Sequence, residues 1–259
     1  MAQTKPAIIG TALTAWEDAF RAIGAMPLVA GTAFAIVILM ALASFWIISD
    51  PYALAASHWL PAYSIVSGVV QGLLLAPLAI AVHRYVLLGE ATRRYPLDPF
   101  SARYVRFVGF AILVKILWSL PSIVQSFMRD APEDTGAEAL LGFVELALFI
   151  TVLIVTVRRV ILFPAIAVDA PGATWSNARR DTKGSSWRVA FIFVCVAVPG
   201  TILGGLLYWA LLSGGLGSAN QLFFSLLGAI VEIPMLCAFA AAASHIFRSR
   251  VDTLAQPAG

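Results

Sequence analysis

Long charge-free apolar runs, cut by short polar breaks, set the pattern of this chain. The first run covers positions 28–49 without a charge. About 20 apolar residues in a helix cross a hydrocarbon core roughly 30 Å thick. The pattern predicts six such helices. The first covers 28–48 and ends at Asp50, Pro51 and Tyr52. The second covers 62–82 and ends at His83 and Arg84. The third has its apolar part at 107–128, and the fourth covers 139–157, ended by Arg158 and Arg159. Positions 189–231 carry no charge over 43 residues, too many for one ordinary span. The break SGGLGSANQ at 213–221 divides them into a fifth helix at 189–212 and a sixth at 222–247. Barrel strands show ~10-residue alternation, which these unbroken runs lack. The expected fold is all-α, a polytopic bundle of six transmembrane helices.

A different pattern precedes the first span. Within 8–26, Ile8, Ile9, Ala12, Ala15, Trp16, Ala19, Phe20 and Ile23 fall on one side at helical spacing, with Glu17, Asp18 and Arg21 opposite. This predicts an amphipathic helix that lies at the membrane interface, packs on the end of the bundle, or both. The chain therefore divides into an N-terminal interfacial segment (1–27), the membrane domain (28–250) and a short tail (251–259). The first apolar run is too long and too far from the start to be a cleaved signal. Ahead of the third span, Asp98 reads as an N-cap and Pro99 as the first helical residue. A weak internal echo links HRYVLL (83–88) to VRRVIL (157–162).

Composition agrees with the pattern. Hydrophobic residues make up 60% of the chain and charged residues 12%, against about 25% charged in soluble domains. Mean hydropathy is +0.89. The net charge of +3 matters less than its placement. With the N-terminus inside, 15 of the 17 Lys and Arg residues fall on the inner side. The exceptions are Arg129 and Lys115, whereas Asp50, Asp130, Glu133, Asp134 and Glu138 fall outside. The positive-inside rule then sets both termini in the cytoplasm.

Three charges lie at membrane depth: Lys115, Glu145 and Glu232. Such residues are costly and normally face the bundle interior. Helix rise places Lys115 and Glu232 near the midplane, where they can pair, and Glu145 nearer the outer surface. Two readings stay open, a structural ion pair that sets helix register or a polar transport site. Pro77, Pro121, Pro199 and Pro234 interrupt spans, with Pro234 bending the sixth helix beside Glu232. Gly200 and Gly204, continued by Gly205, and AFAAAAS at 238–244 form small-residue faces for close helix packing. Their partner is internal, another membrane protein or a second copy of the chain. Cys195 and Cys237 sit in apolar runs as fillers. His58, His83 and His245 lack further spaced ligands, so no metal or cofactor is expected. No catalytic motif is present: GxSxG and HExxH are absent, and DTKGSS lacks the P-loop's preceding glycines.

The densest basic run is TWSNARRDTKGSSWR at 174–188. Thr174 can cap a short helix over 175–183, and Gly184 suits the left-handed residue that ends it. Trp175 and Trp187 are interface residues by type. Arg84, Arg158, Arg159, Arg179, Arg180, Lys183 and Arg188 are candidates for anionic lipid headgroups, each worth about 1 kcal/mol near the surface. Topology already requires these charges, so a nucleic-acid partner is not needed to explain them.

HRYVLLGE (83–90), PLDPFSARYVRFVGFA (96–111), RRVILFPAIAVD (158–169) and the ending TKGSSWR together resemble small alphaproteobacterial inner-membrane proteins of unknown function. More distantly, the chain is similar to the membrane domain attached to some bacterial glycerophosphoryl diester phosphodiesterases. Gly184, Trp187 and Arg188 carry that family's Gly-x-x-Trp-Arg ending. The resemblance covers about 15–250 and implies a fold and a bacterial inner membrane. It implies no phosphodiester hydrolysis, because the catalytic barrel has no room here. The expected role is a non-catalytic anchor, scaffold or accessory subunit with a lipid-contacting basic face. The alternative is a small transporter or channel using Lys115 and Glu232. A lipid-processing enzyme has only the basic loops behind it.

Overall fold

The structure is a computed structural model that describes residues 7–47, 60–128, 135–213 and 218–250. The helices are α1 (Ile8–Ala25), α2 (Pro27–Ile47), α3 (Leu60–Leu88), α4 (Ala102–Met128), α5 (Thr135–Val157), α6 (Leu162–Ala167), α7 (Trp175–Asp181), α8 (Ser186–Ser213) and α9 (Ser218–Arg250). No strand occurs among the described residues. Six helices (α2–α5, α8 and α9) are long and apolar enough to cross a membrane. They coincide with the six expected spans; α2 keeps its expected length, and the other five reach about a turn further at one end or both. The tail, Lys5, His58, Asp50, Arg129, Asp130, Glu133 and Asp134 lie outside the described residues.

α9 is the central post, packing against α1, α2, α3, α6 and α8. Its alanine run explains why. Ala238, Ala240, Ala241, Ala242, Ala243 and Ser244 are all buried, and small side chains let helix backbones approach where lipid gives no hydrophobic drive between helices. The partner of this face is therefore internal. The α1 face is built the same way: Ala12, Ala15, Ala19 and Ala22 are buried and seat α1 on α8 and α9. Ile9, Leu13 and Phe20 point outward from it. Asp18 Oδ2 meets His245 Nε2 of α9 at 2.8 Å.

The glycine face of α8 divides. A Cβ on Gly200 would meet Met235 Sδ of α9 at 2.0 Å, so any side chain there must displace the Met235 side chain. Gly204 and Gly205 face open space. Among the described residues, only the first of the three glycines packs against another helix.

One proline site is repaired by a side chain. Pro77 has no N–H and its ring displaces the carbonyl four residues back, at Leu73. The Tyr104 hydroxyl donates to that carbonyl at 2.6 Å, and Tyr95 donates to the carbonyl of Leu74. Burial holds the Tyr95 hydroxyl above the usual phenol range, so it stays a donor. Elsewhere, Trp16 Nε1 of α1 donates to the Val196 carbonyl of α8 at 3.1 Å.

Two local expectations change. α4 starts at Ala102 rather than at Pro99, because positions 99 and 100 form a turn. Ser101 caps the helix: its Oγ accepts from the Tyr104 N–H at 3.3 Å, while its own N–H donates to the Asp98 carbonyl at 3.2 Å. The echo between 83–88 and 157–162 also ends in different backbones. α3 stays helical to Leu88, whereas 158–161 turn into α6.

Candidate functional site

One end of the bundle gathers the arginines. Asp169 sits between α6 and α7 with a left-handed φ of 54°. Arg103 of α4 clamps its carboxylate, and Arg84 of α3 lies 3.9 Å away. Arg84 also pairs with Glu90 at 2.6 Å and donates to the Ala167 carbonyl at 3.1 Å. Arg106 donates to the Ala173 carbonyl at 2.8 Å. These arginines hold the 158–173 segment down, and α6 is pressed into the bundle with Leu162, Pro164, Ala165, Ile166 and Ala167 buried. The aliphatic segment that follows Arg158 and Arg159 is thus largely core. Its polarity is spent on carbonyls that a short helix leaves unpaired.

α7 matches its sequence signals. Thr174 accepts from the Asn177 N–H at 3.4 Å, and Gly184 has φ +79°. The helix stops at Asp181, two residues early, because Thr182 turns inward. Fully buried, it donates to the Arg158 carbonyl at 2.7 Å and so ties α7 to the end of α5. Trp175 also points inward, edge-on to Phe110 and beneath the Arg159 guanidinium at 4.0 Å. Arg159 Nε is buried with no hydrogen-bond partner in the described residues. Of the expected headgroup residues, Arg84, Arg159 and Trp175 therefore serve internal contacts. Arg179, Arg180 and Lys183 are exposed, and Trp187 is 72% exposed.

Arg158 and Arg188 stand beside Trp187 at the mouth of a groove of about 530 Å³ between α5 and α8. Ile150, Ile154 and Val157 line its shaft, and Gly184, Ser185 and Ser186 its rim. Arg158 Nε also donates to Ser186 Oγ at 3.1 Å. The groove exists because α5 and α8 diverge, touching at few points.

A second cavity, of about 620 Å³, lies among α3, α4, α5, α8 and α9. Gly68, Gly72, Ala76 and Ala79 hollow one face of α3 along its length. Its walls are mostly aliphatic and aromatic. The polar exceptions stand towards its two ends. Towards one end, Gln71 Nε2 donates to Glu232. Lys115 is not itself in the wall but lies over Gly68 at that end, where an added Cβ would meet its Cε at 2.1 Å. Towards the other, His83 Nδ1 meets Ser244 Oγ at 2.8 Å. Since Ser244 Oγ donates to the Ala240 carbonyl at 2.9 Å, it accepts from His83, which fixes the Nδ1–H tautomer. Thr156 Oγ1, in the wall, has no partner among the described residues.

Lys115 and Glu232 thus share one region of the bundle, as their depths predict. Among the described residues no ion pair joins them; Glu232 takes Gln71 instead. Glu145 is half-buried on α5 and outside the cavity wall. Gln71 and the small face of α3 escape a reading built on charge. The spacing of Gly68, Gly72, Ala76 and Ala79 was the available signal. Among the described residues no group of three or more His, Cys, Asp or Glu could hold a metal.

These features define a polytopic α-helical integral membrane protein with a basic end and an open apolar cleft among its helices. Compared with known families, curated proteins and solved structures, the chain matches none.

Proposed function

We propose that this protein is a non-catalytic membrane component, an anchor or accessory subunit, whose basic end holds anionic phospholipid at the cytoplasmic face of a bacterial inner membrane. The observation that carries the reading is the groove between α5 and α8. Its shaft suits an acyl chain, and Arg158 and Arg188 flank the height where a phosphate would sit. Trp187 is exposed beside them, as an interfacial anchor would be. Paired guanidiniums favour phosphate through charge and fork geometry.

The test uses the full chain in nanodiscs of mixed phosphatidylglycerol and phosphatidylcholine, with retained lipid read by native mass spectrometry. Wild type should retain phosphatidylglycerol. At about 1 kcal/mol for each charge, Arg158→Ala with Arg188→Ala should cut that preference about thirtyfold. Unchanged retention by a folded double variant would overturn the reading. The alternative, a small transporter, has in its favour the cavity that reaches Glu232. The apolar walls weigh against it, since a hydrated ion would lose its water without compensation.

A further inference from the structure

The apolar cleft along α3 points to a ligand separate from the one at the basic groove. We infer that the cavity among α3, α4, α5, α8 and α9 binds one long-chain lipid with an uncharged hydroxyl head, whose head lies at Glu232 and Lys115. Shape is the first argument. The wall follows α3 from Gly68 to His83, fifteen residues and about 22 Å of helix. That is the length of one extended alkyl chain, and Gly72, Ala76 and Ala79 supply the trough for it. At about 620 Å³, the cavity is the size of a small-molecule site, and such sites combine apolar walls with a few placed polar groups.

The polar groups select the head. Gly68 and Gln71 are one turn apart on α3, so the Lys115 side chain and the Gln71–Glu232 bond border the same end. A carboxylate head would meet the Lys115 ammonium but face Glu232. An ammonium head would meet Glu232 but face Lys115. In an apolar site either like-charge contact is costly. A hydroxyl donates to the carboxylate and accepts from the ammonium, satisfying both.

Hexadecanol, hexadecanoic acid, hexadecylamine and hexadecane can each be offered to the detergent-solubilised full chain, with binding read by native mass spectrometry. Hexadecanol should bind one to one, at least tenfold tighter than the other three. Tighter binding of the acid or the amine would overturn the head assignment, and equal binding of hexadecane would overturn a role for the polar end. Gly72→Leu is the cavity-filling variant, because a Cβ there meets nothing within 4 Å. It should weaken hexadecanol at least tenfold while leaving phosphatidylglycerol retention at the groove unchanged. Full hexadecanol binding by this variant would place the ligand elsewhere. A second readout needs no cavity-filling substitution. A bromine-labelled hexadecanol should quench wild-type fluorescence through Trp118, which lines the cavity, and Trp118→Phe should remove most of that quenching. Quenching that persists in Trp118→Phe would also overturn the site.

Discussion

At the scale of single residues, the same residue type serves opposite ends depending on what lies across from it. At Gly200 the Met235 side chain occupies the place of the missing side chain, while Gly204, one turn on, faces open space. Gly200→Val should therefore force a shift of Met235 and cost about 1–3 kcal/mol, the usual range for overpacking. Gly204→Val should leave stability near wild type. Thermal midpoints of the two variants in one detergent test this, and equal midpoints would refute the packing argument. The arginines divide likewise. Arg84, Arg103 and Arg106 are tied to carbonyls and to Asp169, while Arg158 and Arg188 border a groove. Sequence alone counts both groups as surface charge, since a guanidinium looks the same whether it meets a carbonyl or a lipid.

At the scale of elements, α1 shows how a helix with an amphipathic pattern is placed. Its alanines face α8 and α9, so close backbone packing rather than bulk seats it. Two polar contacts orient it: Trp16 to the Val196 carbonyl and Asp18 to His245. Asp18→Ala removes the second and leaves His245 half-buried without its carboxylate. Amide exchange across α1 should rise several-fold, with α2 little changed. Unaltered protection in α1 would show that the alanine face alone holds it. The alternation of charged and apolar positions in 8–26 made this helix legible. Which face is inner was legible only in part, because Ile9 and Phe20 are more apolar than the alanines yet point outward. The tightest contact went to the smallest side chains.

At the scale of the whole molecule, a sidedness follows from the proposed setting in the membrane. Arg84, Arg103, Arg106 and Arg158 converge on one end through Asp169, the 158–173 segment and the starts of α4 and α8. The positive-inside rule then predicts both termini in the cytoplasm. An epitope tag at either terminus of the protein in sealed spheroplasts should resist added protease until the membrane is broken. Digestion of either tag in intact spheroplasts would invert the topology. The outer faces of α5 and α8 are strongly apolar, with Phe143, Phe149, Phe191 and Trp209 exposed, as helices at the rim of a bundle in lipid would be.

The number and rough limits of the spanning helices were determined by sequence alone. Their signal is a sum over twenty or more residues against a bilayer of set thickness, and no tertiary contact can reverse it. The short helix after Thr174 and its end at Gly184 were legible for a similar reason: caps and positive φ are decided within a few residues. Only the tertiary structure decided that α6 is buried, that Trp175 lies under Arg159, and that Glu232 takes Gln71 rather than Lys115. It alone disclosed the two hollows, one where α5 diverges from α8 and one along the small face of α3. A cavity is the space that several helices fail to fill. It depends on the angles at which they cross and on side chains far apart in the chain, which no single stretch of sequence encodes.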